Sequence, residues 1–403
     1  MQTTGGGLLA AKGFKASTVS CGINTPQGER KDLVVVAADA PSSAAGVFTT
    51  NKVQAAPVVL SKAHVANGMA QAIVVNSGNA NACNGDAGIR DARAMVDAVA
   101  DDLGIASEQV LIASTGVIGR PMPMDCIQAG IQEATALINA GGGADAAEAI
   151  MTTDTVPKSH AIQADIEGYT VTIGGISKGA GMICPNMATM IAVITTDAAI
   201  APGVLKTALR TAVGASFNCI SVDGDMSTND TVFVLANGAA DNPMITTADS
   251  TGYHPFEEAL QKVCAVLARK IARDGEGATK FVEIQVNGAV SDEEARTIGM
   301  TVANSLLVKT AIYGKDPNWG RIICAVGYAD AASDPDRIDL FLGGHQLTKD
   351  GQGLPLDEPT MRGELETEDI QVRIELNMGE GAAKVWTCDM SHEYVTINAE
   401  YTT

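Results

Sequence analysis

A mixed α/β architecture, with sheet and helix stacked in layers, is what the sequence predicts. Short apolar runs rich in β-branched residues alternate with one-faced helical patterns along the chain, and no repeat of solenoid period interrupts them. The 403 residues, 46% hydrophobic and 18% charged, suffice for two large lobes at roughly 100–200 residues per domain. Leu33 to Ala38 and Ala72 to Val75 are apolar and β-branched, hence buried strands. From Ala92 the apolar positions Met95, Val96, Val99 and Leu103 mark one helical face, closed by Gly104. Val110 to Ala113 reads as a strand. Ile127, Ile131, Ala134 and Ile138 give a second amphipathic helix, running into Gly141-Gly142-Gly143 as a flexible break.

Strands follow on both sides of Glu167-Gly168, and Thr189 to Thr196 continues the pattern. Pro202 opens a helix through Leu205 and Leu209, since its fixed φ suits a first helical position. Phe256, Leu260, Val263 and Leu267 mark another helix. Ser291-Asp292-Glu293-Glu294 has the spacing of a capping box before a helix carrying Ile298 and Val302. Ile370, Val372, Ile374 and Leu376 alternate with polar residues, as in a half-buried strand.

Composition narrows the function classes. A formal charge of −20 repels nucleic acid and anionic membranes, so small molecules and protein chains are the expected partners. No apolar run reaches the ~18 residues of a membrane span, and Met1-Gln-Thr-Thr-Gly-Gly-Gly carries no targeting pattern, so a cytoplasmic location is expected. The eight cysteines lack zinc spacing and read as reduced, mostly buried small hydrophobes. The five histidines form neither a metal site nor a triad, and no cofactor or metal is expected. Asp223, Asp225 and Asp230 lack the register of a calcium loop and read as a hydrogen-bonding loop.

Four glycine- and asparagine-rich stretches, 76–83, 113–119, 178–189 and 274–280, are too polar for core and too rich in turn residues for regular elements. In the third, a Gly-x-Gly segment and a Pro-Asn turn deliver Ala188-Thr189 to the start of an apolar strand. The Thr189 hydroxyl could attack the Ala188 carbonyl, shift the acyl group from nitrogen to oxygen, and leave water to complete a cut. An N-terminal threonine then carries its own base, an α-amine with a reference pKa of about 7.7–8.0. Taken by itself, Thr189 also fits as an ordinary β-branched strand starter.

Whole blocks decide between these. Lys178-Gly-Ala-Gly-Met-Ile-Cys-Pro-Asn-Met-Ala-Thr189-Met resembles the self-cleavage segment of the ornithine acetyltransferase family, also called glutamate N-acetyltransferase. Asn76-Ser-Gly-Asn-Ala-Asn-Ala-Cys83, Ser114-Thr-Gly-Val-Ile-Gly119, Thr152-Thr-Asp-Thr-Val-Pro-Lys158, Val222-Asp-Gly-Asp-Met-Ser-Thr-Asn-Asp230, Asp274-Gly-Glu-Gly-Ala-Thr-Lys280 and Asp316-Pro-Asn-Trp-Gly-Arg321 are similar to its other blocks, in the same order. The resemblance implies the layered fold of that family, cut into an α chain, 1–188, and a β chain, 189–403, which associate as two α and two β chains. It implies Thr189 as nucleophile, Ala188/Thr189 as the cleavage site, and Thr115 with Gly116 as the oxyanion hole. Thr152, Lys178, Thr189, Glu276, Asn398 and Thr403 fall where that family contacts its amino-acid substrate.

The implied reaction is ping-pong transfer of acetyl from N2-acetylornithine to glutamate within arginine biosynthesis. Lys178 suits a substrate carboxylate and Glu276 an ornithine ammonium. Acetyl-CoA as a further donor, and a related self-processing aminopeptidase or amidase, are the alternative readings. A third, a non-catalytic amino-acid-binding protein, sits poorly with intact Thr115, Gly116, Lys178 and Thr189.

Overall fold

Nine strands build the first sheet of the computed structural model, which describes residues 1–139, 141–184 and 190–400. They are β1 (Gln2–Thr3), β2 (Phe14–Val19), β3 (Leu33–Phe48), β4 (Met69–Asn76), β5 (Val110–Ser114), β6 (Lys158–Ile166), β7 (Tyr169–Lys178), β8 (Ile191–Thr196) and β9 (Thr231–Ala236). The order is β1-β6-β7-β8-β9-β3-β4-β5, with β2 also on β3. β3 continues ten residues past the expected Ala38, and its register with β4 shifts between Ala37 and Ser42. Pro41, which lacks a backbone donor, lies inside that shift, where an irregular ladder tolerates it. The first part of β3 pairs with β2 and β4; the last part pairs with β9.

Side-chain alternation turns this sheet into four layers. Leu33, Val35, Ala72, Val74, Val110 and Ile112 pack with α1 (Ala56–His64), α2 (Gly85–Leu103) and α3 (Met124–Ala136). Their neighbours Val34, Val36, Ile73, Val75 and Leu111 join a different core, with Ile176, Ile191, Val193, Phe233 and Leu235 of β7, β8 and β9. The reverse face of those strands, Val171, Ile173, Ala192, Ile194, Val232 and Val234, packs on α5 (Pro202–Gly214) and α6 (Tyr253–Arg273). One sheet therefore supplies both strand layers of a helix–strand–strand–helix sandwich. A one-residue slip in β3 would exchange its two apolar sets between cores.

Local chemistry fixes the element ends. Gly104 closes α2 in the left-handed region at φ 66°, and Pro202 is at the start of α5. Glu167 (φ 55°) and Gly168 (φ 86°) make the two-residue hairpin between β6 and β7. The Gly141–Gly143 run departs from the expected flexible break. Gly142 lies against the backbone of Ala16 and Gly143 against Leu9, and a helix, α4 (Gly143–Ala149), starts there. Glycine serves close packing at these positions.

The second sheet begins at β10 (Phe281–Ala289) and continues through β11 (Asp339–Leu342), β12 (His345–Lys349), β13 (Gln352–Gly353), β14 (Asp369–Glu375) and β15 (Gly381–Cys388), in the order β13-β12-β11-β14-β10-β15. Val282, Ile284, Val286, Leu340, Val372 and Ile374 face α7 (Asp292–Asn304), α8 (Leu306–Tyr313), α9 (Trp319–Gly327) and α10 (Glu358–Glu364). Ser291 caps α7 by accepting the Glu294 N–H at 3.2 Å, while Glu294 Oε2 is buried without a partner among the described residues. Half of the expected capping box forms. The last described helix, α11 (His392–Glu400), carries Asn398 to the turn before β10.

In chain order the expected 188/189 cut falls between β7 and β8, which pair from Ile173–Thr196 to Lys178–Ile191. No helix among the described residues is long and apolar enough to cross a membrane. All eight cysteines are free; four are buried, and Cys83 and Cys324 are exposed.

Candidate active site

β4 and β5 run parallel and end side by side at Asn76 and Ser114, so their loops emerge together. Ser114 Oγ donates to Asn76 Oδ1 at 2.6 Å, and Asn76 Nδ2 donates to Asn79 O at 2.9 Å. Asn229, just before β9, ties both loops by donating to Ala80 O at 2.6 Å and Ser114 O at 2.8 Å. Asn76, Asn79, Asn81 and Ser114 are all buried. The stretch read as too polar for core is a buried polar network. Its side-chain and backbone groups satisfy one another, which avoids the roughly 1–3 kcal/mol penalty of each unmade buried hydrogen bond.

Gly116 has φ +130°, and a Cβ there would overlap the backbone of Gly78 and come within 2.6 Å of Asn79 N. Only glycine lets this loop lie on its neighbour. The Thr115 N–H is taken by Asn76 O at 3.0 Å, so the residue's free donor is its hydroxyl. Lys178 Nζ donates to Thr115 Oγ1 at 3.2 Å and to Thr152 Oγ1 at 2.8 Å, leaving the Thr115 proton to point elsewhere. The Gly116 N–H has no partner among the described residues. A hydroxyl and an amide from consecutive residues are a suitable pair for a developing oxyanion.

Lys178 ends β7 and is 2% exposed. Burial pulls its ammonium below the usual lysine range; Asp154 opposes this and Lys158 reinforces it. Asp154 accepts from Lys158 Nζ at 2.7 Å and from the Gly179 N–H at 2.6 Å. Burial disfavours its ionisation, yet Lys178, Lys158 and that amide together hold it down at about 2.

Glu276 approaches from the turn before β10. Its N–H donates to Ala180 O at 2.9 Å, and a side chain on Gly181 would collide with its carboxylate. Asn398 Nδ2 donates to Glu276 Oε2 at 2.8 Å. Thr115, Gly116, Thr152, Lys178, Glu276 and Asn398 thus line one cavity of about 100 Å³. A larger cavity of about 780 Å³, where α5 and α6 meet α7 and β15, contains none of them. The smaller one joins a buried ammonium to a buried carboxylate, and on that ground it is the candidate site.

Thr189, Ala188 and Thr403 lie outside the described residues. Both flanks of the 185–189 segment are anchored by carboxylates. Asp223 accepts the N–H groups of Met182 at 2.6 Å and Ile183 at 2.8 Å, and Asp230 accepts that of Met190 at 2.9 Å. Burial raises both carboxyls, Asp230 to well above the usual range, with the Met190 amide and Lys178 opposing. The hydrogen-bonding loop expected of Asp223 and Asp230 is observed. Asp154, Lys158, Asp274 and Asn229 are contributors that the residue patterns do not single out. Asp154 and Lys158 stand four apart in a block noted for Thr152, and that spacing was the available signal.

Comparison with known proteins agrees on one relationship. A family model described as the ArgJ family matches residues 15–403. The arginine biosynthesis bifunctional protein ArgJ of Symbiobacterium thermophilum is 49% identical over 403 residues, covering 100% of both chains. Its namesake from Geobacter sulfurreducens is 49% identical over 396 residues, 98% of this chain and 100% of the other. Among solved structures, arginine biosynthesis bifunctional protein argJ from Bacillus halodurans matches with a TM-score of 0.50 and 43% identity, over 51% of this chain and 97% of that one.

Proposed function

The chain belongs to the ArgJ family, and we propose from this premise that it carries acetyl from N2-acetylornithine to glutamate on Thr189, in arginine biosynthesis. The observation that carries the reading is the cavity itself, where Lys178, Glu276 and the donors Thr115 and Gly116 converge.

Maturation comes first. Thr189 Oγ adds to the Ala188 carbonyl and the peptide nitrogen leaves with a proton as the Thr189 α-amine; water then hydrolyses the ester, releasing the Ala188 carboxylate and restoring the hydroxyl. A solved relative whose chain, 97% matched, spans 51% of this one accords with a division near the middle. In turnover, Thr189 Oγ attacks the acetyl carbonyl of N2-acetylornithine while the α-amine takes the hydroxyl proton. The oxyanion rests on the Thr115 hydroxyl and the Gly116 N–H. Collapse expels ornithine, whose nitrogen receives that proton. The amine of glutamate then attacks the acetyl ester, and N-acetylglutamate leaves with Thr189 restored.

Lys178 holds the α-carboxylate common to both substrates, and Glu276 the ammonium present only in ornithine. Lys178→Met should therefore raise KM for both substrates, and Glu276→Gln chiefly that for N2-acetylornithine. Equal effects of Glu276→Gln on both would reject its assignment. Intact mass tests the foundation: wild type should give two fragments meeting at Ala188/Thr189, and Thr189→Ala one inactive 41.4 kDa chain. Normal cleavage of the alanine variant would falsify the threonine mechanism. With N2-acetylornithine alone, ornithine release should slow after one burst and resume when glutamate is added. Full-speed release with matching acetate would replace the transferase by an amidohydrolase.

The word bifunctional in the relatives' names favours a second activity, acetylation of glutamate from acetyl-CoA on the same threonine. Formation of N-acetylglutamate without any N2-acetylornithine tests it. Association of two α and two β chains in the cytoplasm completes the proposal, and native mass measurement checks the stoichiometry.

A further inference from the structure

Behind the cavity lies a charge cluster that the transfer chemistry leaves unused. The Lys158 ammonium is 2.7 Å from Asp154 Oδ1 and 2.5 Å from Asp274 Oδ2, with side chains 0%, 0% and 6% exposed in that order. Asp154 also accepts the N–H groups of Gly179 at 2.6 Å and Thr152 at 3.0 Å, the backbone beside two of the substrate-facing groups. Asp274 accepts the Thr155 N–H at 3.0 Å and the Thr155 hydroxyl, and it stands two residues before Glu276. A buried ion pair is weak evidence of stability, since apolar side chains of equal volume usually serve as well. This one does something apolar residues could not. It links the segment bearing Thr152 and Lys178, before the Ala188/Thr189 bond, to the turn bearing Glu276, after it.

We propose that Asp154, Lys158 and Asp274 form a positioning triad that fixes Lys178 relative to Glu276 and supplies the charge balance on which the Lys178 ammonium depends. The inference rests on Lys178 as the α-carboxylate partner proposed above. The charged groups acting on Lys178 come from each segment packed around it: Asp154 and Lys158, Asp230 ahead of β9, and Glu276 ahead of β10. Burial lowers the Lys178 pKa; the three carboxylates raise it and Lys158 lowers it.

Those signs make an opposed pair of variants. Lys178 must stay protonated to bind a carboxylate, so kcat/KM falls as pH rises through its pKa. Asp154→Asn removes a supporting charge and should move that alkaline limb to lower pH. Lys158→Met removes a repelling charge and should move it to higher pH. About one pH unit each way is expected for a buried neighbour at this range. KM should change for both substrates and kcat less, because the shared α-carboxylate is affected.

The measurement is the pH profile of kcat/KM for N2-acetylornithine, on protein whose cleavage is first verified by intact mass. Limbs that move in the same direction, or stay fixed, would overturn the triad, since loosened packing has no reason to produce opposite shifts. If Lys158→Met gives no folded protein by circular dichroism, Asp274→Asn substitutes. It leaves Lys158 less neutralised, so a smaller downward shift than in Asp154→Asn is expected, and no shift in either variant overturns the proposal. Wild-type protein without transfer activity at any pH would instead sink the parent reading.

Discussion

The first sheet and the second treat polar side chains in opposite ways. In the second, β10 sends Val282, Ile284 and Val286 to the helices and Glu283, Gln285 and Asn287 to the other face, where Arg373 lies 3.6 Å over Phe341 and pairs with Glu375 at 2.5 Å. In the first, both faces of the strands are covered by core, and Asn76, Ser114, Asn229 and Asp230 are buried at the strand ends. The open face tolerates polarity because water stays in reach. In the closed sheet Asn76, Ser114 and Asn229 meet one another's groups, while among the described residues Asp230 Oδ2, Ser177 Oγ and His160 Nε2 are buried without a partner, so the linked residues are coupled and a single change is felt through several loops.

The sharpest way to break this contrast is Thr115→Ala. If its hydroxyl acts on charge that appears in the transition state, the acylation rate should fall about 10²–10³-fold with amino-acid affinity nearly unchanged. An equal loss in a binding titration would make Thr115 a pocket-shaping residue. Gly116→Ala is next. With φ +130° and the Gly78–Asn79 backbone against it, the loop must move, at a cost of about 3 kcal/mol read from denaturant midpoints. Asn229→Ala should cost about 2–3 kcal/mol by orphaning the Ala80 and Ser114 carbonyls, and should slow cleavage as well. Normal stability in that variant would mean that the loops hold each other without it.

The second sheet supplies the smaller effects. Ile374→Val, in its core, should cost about 1 kcal/mol and leave the transfer rate per folded molecule unchanged. Arg373→Ala on the open face should cost about 0.5 kcal/mol. A loss of turnover from either, in fully folded protein, would show that the second sheet is wired to the site, and the contrast between the two would have to be redrawn.

The same contrast explains what the residue pattern could tell. Period-two alternation exposed the second sheet through Ile370, Val372 and Ile374, and one-sided helices such as 253–273 were legible because their apolar stripes face a core. Gly104, Pro202 and Glu167-Gly168 marked their element ends through backbone rules that act locally. The register shift in β3 was not legible, since a strand shared among three partners leaves no periodic trace in Asp39-Ala40-Pro41. The residue pattern of 76–83 is that of a loop because the partners that bury it, such as Asn229 for Ala80 O, lie 149 residues away. Block resemblance gathered Thr115, Thr152, Lys178, Glu276 and Asn398. Lys158 and Asp274 stayed hidden as ordinary charged residues until the fold placed them 2.5 Å apart.

A cut between β7 and β8 has a consequence for how the protein ages. The two products would be sewn along two seams, β7 to β8 and β3 to β9, each six residue pairs long. While folded they cannot be told from one chain. Once unfolded they drift apart, and the effective millimolar concentration that a covalent linker gives its own ends is gone. Refolding, unimolecular for the precursor, becomes a bimolecular search at whatever concentration the solution offers. The mature enzyme would then persist by the slowness of its unfolding and not by its capacity to return, so each molecule would work once through a single folding event.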